Sequence, residues 1–126
     1  MPSMFDVELV TEILKNIQWS IDQIVQRTKD IKSYEQFLDN ETGLEKLDSV
    51  CMQLINIGEA LKQIDKLTAN NLLVTYTEVD WKSAKGMRDI ITHHYFDIDA
   101  ELVFEVICEK LPLMKNVISK IVNELK

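Results

Sequence analysis

The feature that most constrains the fold is the recurrence of apolar residues every three or four positions along most of the chain. In residues 6–29 this stripe consists of Val10, Ile13, Leu14, Ile17, Ile21, Ile24 and Val25. A second stripe runs from about Glu41 to Leu67. This spacing is typical of amphipathic helices. Only three glycines and two prolines occur in 126 residues, too few for many short strands joined by turns. The sequence therefore predicts an all-α fold.

Capping signals divide the rest of the chain into further helices. The segment from Ser33 to Gln36 matches a capping box, in which each side chain satisfies a free backbone N–H of a short helix. Asp80 is the expected N-cap of a helix over residues 81–93, and a last helix over residues 100–125 is expected to kink at Pro112. We therefore predict a four- to five-helix antiparallel bundle with a kinked last helix, as a single domain over residues 1–126.

Gly58 lies on the second apolar stripe, at a position where a large side chain is expected. A glycine in a helix interior costs about 1 kcal/mol relative to alanine. The sequence therefore predicts that Gly58 forms a packing notch, at which another helix approaches closely.

Charge and cysteine content limit the class of protein. The net charge of −7 argues against a surface that attracts nucleic acid everywhere, although a small basic cleft stays compatible with it. No apolar stretch is long enough to span a bilayer, and residues 1–6 lack the basic flank and apolar core of a secretory signal. Cys51 and Cys108 lie among apolar residues far apart in sequence, which favours two buried thiols in a reducing cytoplasm. We expect a cytoplasmic protein without a membrane partner.

Chemistry is concentrated in residues 88–95, which contain one of the two arginines and both histidines. A five-residue step on a helix separates Arg88 from His93 by about 140°, so only their side chains can converge. Imidazole can move a proton near neutral pH, and guanidinium can bind phosphate oxygens. RNA cleavage by internal transfer needs a base and an acid, and two copies across a two-fold axis could supply both. Ordinary surface hydrogen bonds at a helix end are the alternative.

A metal centre is a weaker alternative. His93 and His94, together with Asp97, could contact a metal, but consecutive helical residues point in different directions and no spaced ligand set accompanies them. The sequence also lacks a glycine-rich phosphate loop and a serine-centred nucleophile motif. We therefore predict neither a metal site nor a cofactor.

The spacing Arg-x4-His-x-Tyr, carried by Arg88, His93 and Tyr95, resembles the motif of HEPN domains, and within them the HepT-like toxins of the HepT/MntA toxin–antitoxin pair. The similarity is extended by Ile57-Gly58-Glu59-Ala60 and by the segment from Trp81 to Arg88. The order of the helices and the late proline also fit, so the resemblance spans most of the chain.

This resemblance implies a metal-independent endoribonuclease toxin of a type VII system that cleaves an RNA substrate as a homodimer. It also implies a cognate minimal nucleotidyltransferase antitoxin, which transfers AMP to the motif tyrosine. On this chain Arg88 and His93 would then be catalytic, Tyr95 would be modified, and the candidate supporting residues are Glu59, Asp89 and His94. Asp89 occupies a position where the family usually has another polar residue, often asparagine.

A second interpretation of the same residues is a non-catalytic module. Similar small helical bundles serve as substrate-binding or adaptor partners of nucleotidyltransferases without cutting RNA. For Tyr95 itself, the alternative to modification is an ordinary half-buried aromatic residue that anchors the turn, since tyrosine commonly buries its ring and leaves its hydroxyl in water.

Overall fold

The computed structural model describes residues 5–126, so most of the segment on which the secretory-signal prediction rests lies outside the described residues. The α-helices are α1 (Val7–Arg27), α2 (Glu41–Leu67), α3 (Trp81–His93), α4 (Ala100–Glu105) and α5 (Leu111–Glu124). A π-helical turn, Val106–Lys110, joins α4 to α5, and short 3₁₀ turns occupy Tyr34–Phe37, Leu73–Thr75 and Tyr95–Asp97. Residues 5–126 contain no strand. The all-α prediction is confirmed.

Neighbouring helices run antiparallel, because positions later in one helix contact positions earlier in the next. The contacts that show this are Gly58 with Arg88 and Asp65 with Lys85 between α2 and α3, and Gln18 with Ser119 and Asp22 with Lys115 between α1 and α5. The bundle therefore places the end of α3 beside the first half of α2.

The core is formed by the apolar stripes that the sequence predicts. Its largest fully buried side chains are Phe37, Leu14, Ile17, Ile21, Ile24, Leu61, Ile64, Leu73, Ile91, Leu111, Ile118 and Ile121. Val25 is an exception to the predicted α1 stripe, since it is 47% exposed. It directly follows the fully buried Ile24, and a helical step of about 100° turns it away from the core. In residues 5–126, no helix is both long enough and apolar enough to cross a membrane.

The helix starts follow the capping predictions in one case and depart from them in another. The Asp80 side chain accepts a hydrogen bond from the Ser83 N–H at 3.1 Å, which confirms its role as the N-cap of α3. The capping-box prediction for Ser33 is wrong. The Gln36 N–H donates to the Ser33 carbonyl as a 3₁₀ bond at 3.1 Å, so it is not free for the Ser33 hydroxyl. The Gln36 side chain instead accepts from the Lys32 N–H.

The last helix is kinked as predicted, and the kink has the form of the π turn. Pro112 has no N–H, and its ring would clash with the carbonyl of Cys108, four residues earlier, in a regular α-helix. The wider turn Val106–Lys110 ends just before this proline, and the Leu111 N–H donates to the Val106 carbonyl. A π turn holds one residue more than an α turn, which rotates the positions that follow.

The prediction of two buried thiols is half wrong. Cys51 is buried in α2, and burial raises the pKa of its thiol to about 11. Cys108 is exposed, because it lies within the π turn, where the helical register changes.

Gly58 brings α2 and α3 together, as the sequence predicts. A Cβ atom at this position would lie 3.1 Å from the Arg88 Cβ and 3.4 Å from the Lys85 carbonyl oxygen. A Cβ at Gly86, inside α3, would meet nothing within 4 Å. The two glycines therefore differ in function, since only Gly58 permits a close helix contact.

We predict that Gly58→Leu destabilises the protein by about 1–3 kcal/mol, because its side chain must push α3 away. The matched control is Gly86→Ala, which should stabilise by up to about 1 kcal/mol, since alanine is the better helix former and has free space. Urea unfolding followed by circular dichroism measures both. Equal stability of Gly58→Leu and the wild type would show that the helices do not pack closely at Gly58.

Candidate functional site

Arg88 is fixed at its root by the contact with Gly58 and at its tip by two carboxylates. Its Nε donates to Glu59 Oε1 at 2.7 Å, and its Nη1 donates to Asp89 Oδ1 at 3.0 Å. The side chain remains 41% exposed. Exposed ion pairs of this kind stabilise a fold only slightly. They orient the guanidinium, which stays open to an anion from solvent.

Asp89 is held by more than one cation. Besides the bond from Arg88, Lys62 Nζ lies 3.8 Å from the same Oδ1 atom. The hydrogen bond from Arg88 lowers the pKa of Asp89, and the charges of Lys62 and His93 act in the same direction. Asp89 is therefore ionised at neutral pH.

His93 is the last residue of α3, and its side chain is exposed. Among residues 5–126, no side chain forms a hydrogen bond or ion pair with its imidazole. The ring lies close enough to Asp89 for its charge to act on that carboxylate, and the hydrogen-bond partners of the Arg88 guanidinium in the described residues are Glu59 and Asp89. The imidazole is therefore accessible to a bound molecule.

His94 has different surroundings from His93, although the two are adjacent. Its backbone N–H closes α3 by donating to the Ile90 carbonyl at 3.0 Å. Its ring Nδ1 lies 3.6 Å from Asp97 Oδ1, in the turn that follows. The described part of the chain contains no group of three or more His, Cys, Asp or Glu side chains placed to hold a metal ion.

Tyr95 begins the 3₁₀ turn after α3 and lies beside the first half of α2. Its hydroxyl is 3.4 Å from Asp48 Oδ1, and its side chain is 53% exposed. The nearby negative charge of Asp48 raises the pKa of the Tyr95 hydroxyl. The ring packs edge-on against Phe96, with 5.6 Å between centroids, and Phe96 is fully exposed. The hydroxyl is thus protonated at neutral pH and accessible.

The structure brings Glu59, Arg88 and Asp89 into direct contact and places His93, His94 and Tyr95 at the adjoining end of α3. Sequence reasoning did not find Asp48 and Lys62 as neighbours of these residues. Both lie on the polar side of α2, where no local pattern distinguishes them from other exposed charges. Only the antiparallel packing of α2 and α3 reveals them.

An apolar groove of about 470 Å³ borders α3 on its other side, against α4, the π turn and α5. Three of its lining side chains are among the exposed large hydrophobic residues, namely Ile90, Leu102 and Leu113. A surface of this kind is typical of interaction sites.

The family described as Ribonuclease HepT-like matches residues 17–121 of this chain. A protein of Methanocaldococcus jannaschii named "Putative RNase" is 31% identical over 117 residues, which cover 93% of this chain and 94% of that protein. A protein of Thermococcus cleftensis named "Probable ribonuclease HepT" is 30% identical over 111 residues, which cover 87% of this chain and 93% of the relative. No solved structure matches.

We predict that Asp48→Asn lowers the pKa of Tyr95 toward the ordinary tyrosine value, because it removes the negative charge beside the hydroxyl. NMR titration of ¹³C-labelled tyrosine measures the change, and Tyr95→Phe identifies the signal among the three tyrosines. Asp22→Asn, on α1 and paired with Lys115, is the matched control and should leave the Tyr95 titration unchanged. An unaltered Tyr95 titration in Asp48→Asn would show that the two side chains are not neighbours in solution.

Proposed function

The chain belongs to the Ribonuclease HepT-like family, and we propose that it is an endoribonuclease that cleaves RNA without a metal ion, acting as a homodimer. The observation that carries the proposal is that α3 presents an accessible guanidinium at Arg88 and an exposed imidazole at His93, which has no hydrogen-bond or ion-pair partner within residues 5–126. The names of the two relatives described above, "Putative RNase" and "Probable ribonuclease HepT", support the same reaction class.

In the proposed reaction the 2′-oxygen of a ribose attacks the adjacent phosphorus. The new O2′–P bond forms as the P–O5′ bond breaks, which leaves a 2′,3′-cyclic phosphate and a 5′-hydroxyl end. An imidazole accepts the proton of the 2′-hydroxyl, and an imidazolium donates a proton to the departing 5′-oxygen. Arg88 binds the nonbridging phosphate oxygens and stabilises the charge that builds on them in the transition state.

A homodimer supplies the two proton-transfer groups that this reaction needs. One motif histidine cannot act as base and acid at the same moment, whereas a two-fold axis near α3 brings His93 of each copy to one cleft. The exposed apolar side chains beside α3 support this arrangement, since Ile90, Leu102 and Leu113 border the apolar groove and Phe96 is fully exposed. Contact with a second copy would remove these surfaces from water.

Glu59 and Asp89 act in this proposal as exchangeable partners of Arg88. They hold the guanidinium in place until phosphate oxygens replace one or both carboxylates. Asp89 also opposes phosphate binding, because it adds a negative charge beside Arg88 at a position where the family has a polar residue, often asparagine. His94 has a lesser role, since its ring lies near Asp97 and at the helix cap.

Regulation is proposed to occur at Tyr95, through a cognate nucleotidyltransferase antitoxin in the cytoplasm. The Tyr95 oxygen attacks the α-phosphorus of ATP, and the new O–P bond forms as the Pα–O bond to pyrophosphate breaks. Pyrophosphate leaves with the electrons of that bond, and the hydroxyl proton passes to a base of the transferase. Tyr95 is about half exposed, so such an enzyme can reach it. The AMP group would place a phosphate near the motif, where it competes with RNA for Arg88 and for protonated His93.

The second candidate function is a non-catalytic partner of a nucleotidyltransferase. It is favoured by one observation, that two carboxylates already occupy the guanidinium of Arg88. The two functions differ in a simple measurement, because only the first predicts RNA cleavage by the purified protein.

We predict that His93→Ala lowers the rate of RNA cleavage by roughly 10²–10⁴-fold, the usual contribution of a general acid or base. The matched control, His94→Ala, removes the neighbouring imidazole and should have a much smaller effect. Arg88→Lys should also be damaging, since lysine keeps the charge but loses the two-pronged hydrogen bonding. End-labelled RNA shows the rates, and the 2′,3′-cyclic phosphate ends identify the reaction.

Two further measurements accompany these variants. A chelator should leave cleavage unchanged, so a strict need for a divalent ion would refute the metal-free reaction. Sedimentation of the active wild type should give about twice the chain mass of 14.6 kDa. Full activity of a species with the mass of one chain would contradict the shared cleft.

We predict that co-expression with the nucleotidyltransferase adds the mass of one adenylyl group at Tyr95 and abolishes RNA cleavage. Tyr95→Phe should escape both modification and inhibition, because it lacks the attacking oxygen. Tyr34→Phe is the matched control and should be modified like the wild type. Peptide mass spectrometry locates the group, and a modification that persists in Tyr95→Phe would assign the switch to another residue.

A further inference from the structure

A second groove begins at Asp89 and runs away from Arg88 between α2 and α3. It is a shallow, open groove of about 450 Å³ and carries four lysines, which are Lys62, Lys66, Lys82 and Lys85. Its acidic side chains are Asp65 and Asp89. Positive groups thus outnumber negative ones here, whereas the whole chain has a net charge of −7. The lysine groove is therefore a locally positive surface on a protein whose net charge is negative.

The lysines lie along the groove in pairs, because of their spacing on two antiparallel helices. Lys62 and Lys66 are four residues apart on α2, and Lys82 and Lys85 are three apart on α3, so each pair shares one helix side. Arg88 follows Lys82 by six positions, a distance of about 9 Å along the helix axis. The ammonium groups are thus spread along a path that ends at the guanidinium of Arg88.

Two of the four lysines in the groove lie near carboxylates, and the other two keep the groove positive. Lys85 pairs with Asp65, and Lys62 lies 3.8 Å from Asp89. Lys66 and Lys82 are exposed, and neither forms an ion pair within residues 5–126. Both carboxylates of the groove are thus matched by cations, while these two ammonium groups stay available.

We propose that the lysine groove binds the phosphates of the RNA strand next to the cleaved bond and leads this strand to Arg88. This inference rests on the proposed ribonuclease function and names the path of its substrate. Clustered lysines attract phosphates at all base sequences and release counterions when they bind. An acidic surface elsewhere repels the same strand, so the local field directs the strand into the groove.

The test compares two double variants that change the net charge equally. Lys66→Gln with Lys82→Gln removes the two exposed lysines of the groove that form no ion pair within residues 5–126. Lys15→Gln with Lys29→Gln removes two exposed lysines that lie outside it. The probe is a fluorescent single-stranded RNA with 2′-O-methyl groups throughout, which has no attacking hydroxyl and cannot be cleaved. Anisotropy gives its affinity at several salt concentrations, and circular dichroism checks the fold of each variant.

We expect the Lys66/Lys82 variant to bind at least about fivefold more weakly at 0.1 M salt, with a log–log salt slope reduced by roughly 1.4. The Lys15/Lys29 variant should bind like the wild type. The proposal that the lysine groove binds RNA would be overturned by any of three results: equally weakened RNA binding in both variants, unchanged binding in both, or no binding by the wild type. Cleavage of ordinary RNA is measured separately. If RNA binding depends on Lys66 and Lys82 but ordinary RNA is not cleaved, the ribonuclease proposal fails and RNA binding by the lysine groove stands. If RNA is cleaved but its binding does not depend on these lysines, the groove proposal fails and the ribonuclease proposal stands.

Discussion

The close approach of α2 and α3 at Gly58 is the contact on which the site depends. Because no side chain separates the helices there, the Arg88 Cβ lies directly against the α2 backbone. The neighbouring Glu59 is then within reach of the guanidinium, and Lys62, one turn further, is within reach of Asp89. A wider spacing would remove both ion pairs at once and would leave Arg88 as a mobile surface side chain. A glycine that weakens its own helix thus fixes the geometry of residues on the next one.

The bounds of α1, α2 and α3 could be predicted closely because their signals are local. Apolar periodicity and the side chain of Asp80 act within a few residues, and Gly58 marks a helix contact by the absence of a side chain. The pairing of Asp48 with Tyr95 could not be predicted, since it joins residues 47 positions apart through the packing of two helices. Cys108 was placed wrongly because a regular helical period does not include the extra residue of a π turn.

The cations of the site form ion pairs with carboxylates and still remain accessible to solvent. Arg88 is paired with carboxylates and still substantially exposed, and Asp89 is shared between Arg88 and Lys62. Such exposed pairs are weak in water, so an incoming phosphate can replace a carboxylate at small expense in free energy. The same carboxylates limit how strongly the free protein attracts anions. This arrangement favours ligands that contact several cations together over single phosphate ions.

The π turn between α4 and α5 allows one continuous helical segment to pack on two different parts of the bundle. Upstream, α4 packs on the turn Tyr34–Phe37, where the rings of Phe37 and Phe104 meet edge-on at 6.4 Å. Downstream, α5 packs on α1. One additional residue rotates the side chains of α5 by about 100° about the helix axis relative to those of α4. The two helices can therefore face different neighbours. A loop could provide the same change of direction, but each residue of a flexible loop that must be ordered costs about 1–2 kcal/mol of backbone entropy. The change of face is achieved here within continuous hydrogen-bonded helix.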